Sequence, residues 1–470
     1  MNRADARTAA VGYTAAALLV PLGTLWVSRE LDAVGYIVLL GTPLLLAVLV
    51  RRTYLDTYLS PVIVVPAAFV LTAALGVTVA RSVNLSGNVS VQLALNDEET
   101  LLTAVLLSVS ASALLVGGAI ALHIARRLDV VRAVGARPRR PVGAVLSPGR
   151  RTAVLAVAAT PLLVVIGIDG TDLLSRNNYL IGEDGSLAGP AATVGMAGVI
   201  ACGMLLNLEE GARRIPPAVV AVGYLLLYFS LGSRQMALCP VLLAVGFHVA
   251  RPFRGSQLAL VAAAVVALAL LPLPLFLRGG GEHGLFPYLA ALPDAQSPIQ
   301  VLAGALDNVF ISFPLIGATA FQFAAIPRST MWIELNPLPG DSAGWYDVAS
   351  SVRINPYTPY ATIGELGNHG WVVVVVFWLI AGLFLGYLAV RIPSLTAAGH
   401  RGMALVLTAL PLLFILYSLQ YNLRSSVRLL VYAALIDLAW RAVCHVRDLA
   451  TTHDDPVAVT RTPVPAGSAP

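Results

Sequence analysis

The stretch WVVVVVFWLIAGLFLGYLAV, residues 371–390, decides the fold, because 20 residues without a charge form a helix long enough to cross a bilayer. Similar runs recur along the 470-residue chain, which is 57% hydrophobic and only 12% charged. We therefore predict an all-α polytopic membrane protein with about twelve transmembrane helices. The predicted spans lie near residues 11–27, 32–50, 61–80, 100–125, 152–170, 191–207, 215–232, 235–250, 257–277, 371–390, 403–420 and 427–444.

The distribution of arginine predicts the orientation in the membrane. The chain contains no lysine, so all 30 basic residues are arginine, which excludes a P-loop and a Schiff-base lysine. With both termini in the cytoplasm, 21 arginines fall on inner segments and 9 on outer segments. Because inner loops of membrane proteins are enriched in arginine, we expect a multi-pass protein of the plasma membrane with this orientation.

The predicted spans divide the chain into four parts. Residues 1–277 hold nine helices and a basic cytoplasmic loop at 126–151, and residues 278–370 form a large extracytoplasmic loop. Residues 371–450 hold the last three helices, and the Pro-, Ala- and Thr-rich tail at 451–470 is expected to be disordered. Short or re-entrant helices are expected within the large loop.

Residues 309–326 are apolar enough to cross the membrane, and a crossing there would invert the orientation of everything that follows. The stretch is short, contains Pro314 and leads into a polar segment. We therefore interpret it as a re-entrant or surface-lying helix.

Two groups of acidic residues have a local structural interpretation. Asp97, Glu98 and Glu99 are predicted to form the first turn of the fourth span, where negative charge complements the helix dipole. Asp437 is predicted to pair with Arg441 one helical turn later.

Several arginines are predicted to lie at the outer membrane surface. Arg234 follows Gly232 and Ser233 between two apolar runs, and it either has a binding role or simply reaches the interface. The other candidates for substrate binding are Arg278, Arg353, Arg424 and Arg176. A guanidinium holds phosphate oxygens by two parallel hydrogen bonds, so converging outer arginines suit a diphosphate carried on a lipid.

The outer loop also carries a rigid turn followed by aromatic residues. The sequence NPLPG, residues 336–340, combines two prolines and a glycine, and Trp345 and Tyr346 follow it. The aromatic rings are suited either to stacking on sugars or to anchoring the loop at the membrane interface.

The stretch RINPYTPYATIGELGNHG, residues 353–370, is the richest in chemistry. Glu365 is able to accept a proton from a hydroxyl, and histidine, here His369, gains or loses a proton near neutral pH. The two residues are four apart and share a face if the segment is helical. A helix entry into the tenth span is the structural alternative.

These motifs resemble the O-antigen polymerase and ligase superfamily, the oligosaccharide repeat-unit polymerases of bacterial envelopes, over about residues 150–430. The resemblance rests on Ser233-Arg234 at the outer end of a middle helix, the large late outer loop, NPLPG, and Gly364-Glu365 leading to Gly370. It implies that Arg234, Arg278 and Arg353 bind an undecaprenyl diphosphate, and that Glu365 or His369 is the catalytic base. GELGNHG lacks the aromatic-rich continuation of the family, which leaves the choice of base open.

The expected function is glycosyl transfer in surface polysaccharide biosynthesis at the outer face of the membrane. The expected partners are undecaprenyl-diphosphate-linked oligosaccharides and the lipid bilayer, together with a flippase and a chain-length regulator, and no nucleic acid. We expect no cofactor and no metal. The alternatives are a metal-dependent glycosyltransferase that uses a lipid-monophosphate sugar, and a lipid-linked glycan flippase or other transporter.

Overall fold

The predicted apolar runs form helices wherever the structure describes them. The computed structural model describes residues 33–55, 60–82, 95–127, 148–177, 188–233, 235–250, 254–270, 273–278, 281–294, 312–338, 341–349, 353–355, 358–359 and 361–453. The predicted first span at 11–27, most of the basic loop at 126–151 and residues 454–470 of the tail lie outside these ranges. Residues 451–453, predicted to belong to the disordered tail, extend the last helix instead.

Seventeen helices and one two-stranded ribbon are described along the chain. The helices are α1 (Ala33–Tyr54), α2 (Pro61–Ser82), α3 (Asp97–Arg127), α4 (Pro148–Leu174), α5 (Ala188–Leu208), α6 (Ile215–Ser230), α7 (Gln235–Ala250), α8 (Arg254–Leu270), α9 (Leu273–Arg278), α10 (Leu285–Ala291), α11 (Ser312–Gly317), α12 (Met331–Leu335), α13 (Trp345–Val348), α14 (Thr362–His369), α15 (Trp371–Ala397), α16 (Arg401–Gln420) and α17 (Leu423–His453). Short 3-10 turns lie at Gly211–Arg214, Leu292–Asp294, Arg328–Thr330 and Asp341–Ala343, and a π-helical turn lies at Ala318–Gln322.

The all-α membrane class is confirmed, whereas the number of spans stays a prediction. Among the described residues, six helices are long and apolar enough to cross a membrane. These six are Gly35–Tyr54, Pro61–Thr78, Asp97–Arg127, Pro148–Leu174, Trp371–Ala397 and Gly402–Gln420. The remaining predicted spans that are described also lie on helices, which are shorter or less apolar.

The helix α3 is the most buried of the long helices and packs along α15. Glycine permits this close approach: a β-carbon at Gly117 would lie 2.1 Å from the carbonyl oxygen of Leu379, and one at Gly382 would lie 2.1 Å from that of Leu114. Small residues at such crossings let helix backbones approach closely inside a membrane. This helix pair therefore fixes the position of α15, the helix through which the chain re-enters the membrane after the outer loop.

The first turn of α3 confirms the interpretation of the acidic group. Asp97, Glu98 and Glu99 lie in that turn. The Asn96 side chain accepts a hydrogen bond from the Glu99 backbone at 2.8 Å, and the Glu99 carboxylate accepts one from the Asn96 backbone at 2.9 Å. Such a reciprocal pair satisfies two backbone donors that the helix itself leaves unpaired.

The buried side chains form two large clusters that share one helix. One cluster is built from α1, α2, α3, α11, α14, α15 and α17, and the other from α4, α5, α6, α7, α9 and α10. The helix α16 belongs to both, because Leu407 and Phe414 pack in the first cluster whereas Leu405 and Ala409 pack in the second.

Within the large loop, the region predicted as re-entrant forms a short helical segment. It runs from Ser312 to Gln322 through α11 and the π-helical turn, and Phe323 then adopts an extended conformation. Eleven helical residues span about 17 Å, which is less than the roughly 30 Å of a hydrocarbon core. The described helix is therefore too short to cross the membrane by itself. This agrees with the interpretation of residues 309–326 as a re-entrant or surface-lying helix.

The loop also contains an element that the all-helical prediction did not include. Residues Arg353–Asn355 and Thr358–Pro359 form a two-stranded antiparallel ribbon, in which Arg353 pairs with Pro359. The ribbon leads directly into α14, the helix that carries Glu365 and His369.

Candidate functional site

The GELGNHG segment is helical, so its two candidate residues lie on the same buried side of α14. Both Glu365 and His369 are buried, and Gly364 and Gly367 face the re-entrant segment. A β-carbon at Gly364 would lie 2.7 Å from the Thr319 side chain, so only glycine allows this contact. The glycines of the motif thus allow α14 to pack closely on the re-entrant segment, and both candidate residues are buried.

Asn368, directly before His369 in α14, holds the re-entrant segment in place. Its side-chain nitrogen donates to the carbonyl oxygen of Thr319 at 3.0 Å, and its side-chain oxygen accepts from the backbone of Ile326 at 2.7 Å. From the other side, Gln322 donates to the Glu99 carboxylate at 2.8 Å. The re-entrant segment is therefore fixed to both α14 and the start of α3.

The centre of the site is a hydrogen bond between His369 and Glu334. His369 Nε2 lies 2.8 Å from Glu334 Oε2, and neither side chain has any exposed surface. Thr330 donates a second, longer hydrogen bond to Glu334 at 3.3 Å. Within the described part of the chain, His369 Nδ1 has no hydrogen-bond partner. A carboxylate that accepts from one ring nitrogen orients the imidazole and leaves the other nitrogen to take a proton.

Glu334 was not among the residues predicted from the sequence. It lies in α12, in the apolar run MWIEL directly before NPLPG, and it is separated from His369 by 35 residues. A single acid within an apolar run is a weak signal for a buried pair, and the identity of its partner depends on the fold.

The Glu365 carboxyl group binds the first residue of the last helix, α17. Its Oε2 accepts a hydrogen bond from the Leu423 backbone at 2.6 Å, whereas Oε1 has no partner among the described residues. Burial raises the pKa of Glu365 well above the usual carboxyl value, and the nearby charge of Glu334 raises it further, although the Leu423 hydrogen bond opposes this. The environment therefore favours the protonated acid.

Thr362, one turn before Glu365, secures the same junction between α16 and α17. Its hydroxyl lies 2.6 Å from the Ser426 hydroxyl and 2.8 Å from the Tyr421 carbonyl oxygen. Its backbone N–H also donates to Tyr421 at 2.8 Å. The loop helix α14 is thus hydrogen-bonded to the short connection between the last two helices.

Two arginines of α17 bind residues 333–338, the segment that includes the described part of NPLPG. Arg424 donates to the carbonyl oxygens of Ile333, at 3.3 Å, and of Leu338, and Arg428 donates to the same Leu338 oxygen at 2.8 Å. Among the described residues, the Nε atoms of both arginines lack a hydrogen-bond partner. The predicted phosphate-binding residue Arg424 is therefore engaged, in this conformation, with the loop segment that carries Glu334.

The two adjacent aromatic candidates differ in exposure. Trp345 is buried with Ile326 and Ala349, and its ring lies 5.4 Å from the Arg424 guanidinium. Tyr346 is 66% exposed, and so is a third aromatic residue that was not singled out from the sequence, Trp332, at 73%. The faces available for stacking on a ligand are therefore those of Tyr346 and Trp332.

Arg176 belongs to a separate group at the end of α4. Its guanidinium donates to the carbonyl oxygens of Asp172 and Ser230, both at 3.1 Å, and its backbone pairs with that of His283. His283 in turn lies 2.9 Å from the Tyr288 hydroxyl. Burial lowers the pKa of His283, and the positive charge of Arg176 lowers it further.

The remaining predicted arginines are placed only in part. Arg234 lies outside the described residues. For Arg278 and Arg353 the structure gives the backbone alone, at the end of α9 and at the start of β1 (Arg353–Asn355). Of the predicted site residues, the structure thus gathers Glu365, His369, Arg424, Trp345 and Tyr346 around NPLPG and sets Arg176 among different partners.

A search of the described residues finds no group of three or more histidine, cysteine or acidic side chains arranged to hold a metal ion. The expectation that the activity needs no metal stays a prediction. Comparison of the chain with family models, with curated proteins and with solved structures finds no match. The helices accordingly define a membrane protein, and its activity has to be inferred from the site.

Proposed function

We propose that this protein is a glycosyltransferase that polymerises, or transfers, lipid-diphosphate-linked oligosaccharide units at the outer face of the plasma membrane. The observation that carries this proposal is the gathering of proton-accepting groups and arginines around one turn. Glu334 belongs to the segment 333–338, to which Arg424 and Arg428 bind, and His369 and Glu365 lie close to Glu334. Sugar transfer from a diphosphate requires both kinds of group.

The proposed reaction forms one carbon–oxygen bond and breaks another. A hydroxyl of the acceptor glycan attacks the anomeric carbon of the donor, and the bond from that carbon to the lipid diphosphate breaks. His369 or Glu365 takes the hydroxyl proton, and the arginines stabilise the negative charge of the departing diphosphate. The pairing of His369 with Glu334 favours His369 as the base, because burial favours the protonated form of Glu365.

The arrangement also suggests how a substrate reaches a buried base. Arg424 and Arg428 donate to the Leu338 carbonyl oxygen, and a diphosphate is a stronger acceptor for a guanidinium than a neutral carbonyl. When the diphosphate binds, the arginines turn to it and release the segment that carries Glu334. The base then becomes accessible only in the presence of donor substrate, which limits hydrolysis.

The exposed aromatic residues complete the proposed site. Tyr346 and Trp332 lie on the two short loop helices that flank NPLPG, and aromatic faces stack on sugar rings. Tyr432 donates to the Pro337 carbonyl oxygen at 3.3 Å, so it connects the same turn to α17. The glycan would then extend across the loop while its lipid stays in the membrane.

The test uses the purified protein in liposomes with lipid-diphosphate-linked oligosaccharides from its host and a chelator. We expect a ladder of products at repeat-unit spacing, and we expect Arg234→Ala, Arg353→Ala and Arg424→Ala to abolish it. Arg213→Ala is the matched control, because Arg213 is exposed in the 3-10 turn before α6 and lies on a segment predicted to be on the inner side of the membrane, opposite to the candidate arginines.

Each negative result points to a different alternative. A ladder that appears only when divalent metal is restored would favour the metal-dependent transferase. Movement of the lipid-linked glycan across the membrane without a covalent change would favour the transporter. Products of unchanged length in all three arginine variants would refute the assignment of the diphosphate site.

A further inference from the structure

A second cluster of charges, centred on the buried Asp437, joins α15 and α17 at the ends of these helices away from the loop. Asp437 Oδ1 accepts a hydrogen bond from Arg391 at 2.9 Å, and Oδ2 accepts one from Arg441 at 3.0 Å. Tyr387 donates to the same carboxylate and accepts from Arg441. The predicted pairing of Asp437 with Arg441 is therefore confirmed, and Arg391 is an additional partner from the other helix.

The cluster carries one uncompensated positive charge. Two arginines share a single carboxylate, and arginine does not lose its proton in proteins. A charge left without a partner at membrane depth is costly unless water or a counter-ion reaches it. The Arg441 side chain is 49% exposed and the Arg391 side chain is 22% exposed, so both reach the surface of the helix bundle.

Guanidinium donors remain for a ligand. Within the described part of the chain, the hydrogen bonds of Arg391 are made through Nε alone, so its two terminal nitrogens have no protein acceptor. Arg441 likewise uses Nε and one terminal nitrogen. Paired terminal nitrogens of this kind match the oxygens of a phosphate group.

The depth of the cluster corresponds to the headgroup region of a bilayer. Arg391 lies 20 residues after Trp371, where α15 begins, and the rise of a helix makes this about 30 Å, the thickness of a hydrocarbon core. Arg441 lies 18 residues after Leu423, the first residue of α17, which is about 27 Å. The arginines thus lie at the membrane face opposite to the outer loop.

Exposed apolar side chains lie near the cluster along the sequence of α17. Leu435, Leu438 and Val443 of α17 are each more than half exposed. Exposed leucine and valine on a membrane helix contact acyl chains, so a ligand at the arginines would have its apolar part alongside these residues.

We infer that Arg391 and Arg441 bind the phosphate of an anionic phospholipid in the leaflet opposite to the outer loop. An anionic lipid supplies the one negative charge that the cluster lacks, whereas the ammonium group of a zwitterionic lipid offsets its phosphate. Inorganic phosphate has the same headgroup chemistry but lacks the acyl chains that the apolar flank requires. This inference does not depend on the proposed glycosyl transfer.

The test is native mass spectrometry of the full-length protein in detergent with equal amounts of phosphatidylglycerol and phosphatidylcholine. We expect the protein to retain phosphatidylglycerol preferentially. Arg391→Gln and Arg441→Gln should each reduce this retention about fivefold, the contribution of one arginine near a lipid surface. Arg213→Gln, an exposed arginine outside the cluster, should leave it unchanged.

A change of opposite sign guards against a variant that merely misfolds. Asp437→Asn removes the competing carboxylate, so it should increase retention of phosphatidylglycerol. Equal retention of the two lipids by the unaltered protein would overturn the inference, as would a preserved preference in the double Arg391→Gln and Arg441→Gln variant. Displacement of the lipid by millimolar inorganic phosphate would show an anion site and not a lipid site.

Discussion

Two clusters of ionisable side chains lie at opposite ends of α15 and α17, one with an excess of acids and the other with an excess of arginines. At the loop end, the carboxyl groups of Glu334 and Glu365 lie near each other, only Glu334 bonds to His369, and the His369–Glu334 pair has no exposed surface. At the other end, two arginines share Asp437 and remain partly exposed. An acidic cluster sealed from solvent, on α12 and α14, thus lies beside the first residues of α15 and α17, and a basic cluster with partly exposed arginines lies near the other ends of these two helices.

The two clusters differ in how an excess of acidic or of basic groups is compensated. A carboxyl group is able to take up a proton, so an excess of acids tolerates complete burial, and the raised pKa of Glu365 is the result. Arginine has no neutral form at accessible pH, so an excess of arginines requires an anion from outside. The sealed cluster is suited to holding and moving a proton, and the open cluster is suited to binding a phosphate.

The largest effect is expected from breaking the sealed cluster. Glu334→Ala and His369→Ala should each lower the free energy of unfolding by about 3–5 kcal/mol, because each leaves a buried polar partner without its hydrogen bond. Unfolding by denaturant in detergent, followed by tryptophan fluorescence, measures this loss. Trp332→Phe is a suitable control on the same helix, because Trp332 is 73% exposed.

A double variant tests whether Glu334 and His369 act as a pair. Because the two residues interact directly, Glu334→Ala combined with His369→Ala should cost clearly less than the sum of the two single variants. Additive losses would mean that the two side chains do not act as a pair, and the contrast with the open cluster would lose its basis.

A smaller effect is expected from the open cluster. Asp437→Asn leaves Arg391 and Arg441 facing each other, but both reach the surface, so the loss should be about 1–3 kcal/mol in detergent without anionic lipid. Added phosphatidylglycerol should recover part of it. Glu210→Gln, an exposed acid before the 3-10 turn at Gly211–Arg214, should show neither the loss nor the recovery.

The comparison also separates what the sequence predicts from what it does not. The apolar runs predict helices because length and hydrophobicity are local properties, and the pairing of Asp437 with Arg441 follows from a spacing of four residues. The acidic turn at Asp97–Glu99 is equally local. These predictions are confirmed by the structure.

The site depends on contacts that no local pattern contains. Glu334 and His369 are 35 residues apart, and Arg424 and the Leu338 carbonyl are 86 residues apart. Trp345 and Tyr346 are neighbours in sequence, yet the first is buried and the second exposed, because the short helix α13 turns one side to the loop core. The sequence predicts which polar residue types the site contains. Their partners and their burial depend on tertiary packing, which the sequence pattern does not show.

The smallest expected effect is the pH dependence of stability that Glu365 causes. Because its pKa is raised in the folded protein, the folded state holds the proton more tightly than the unfolded state. The contribution of Glu365 is therefore complete at low pH and is lost as pH rises from the ordinary carboxyl value through the raised one. Glu365→Gln mimics the protonated acid and should remove this slope while retaining most of the stability at low pH.

Unfolding measured over this pH range for four proteins tests this prediction. The unaltered protein and Asp347→Asn, which neutralises an exposed acid of the same loop, should show the same slope. Glu365→Gln should be flatter than both, and Glu334→Gln should reduce the slope because Glu334 is the nearby charge that helps to raise the pKa of Glu365. An identical slope in Glu365→Gln would mean that Glu365 keeps its charge when buried. The acidic cluster would then need an external counter-ion just as the basic one does.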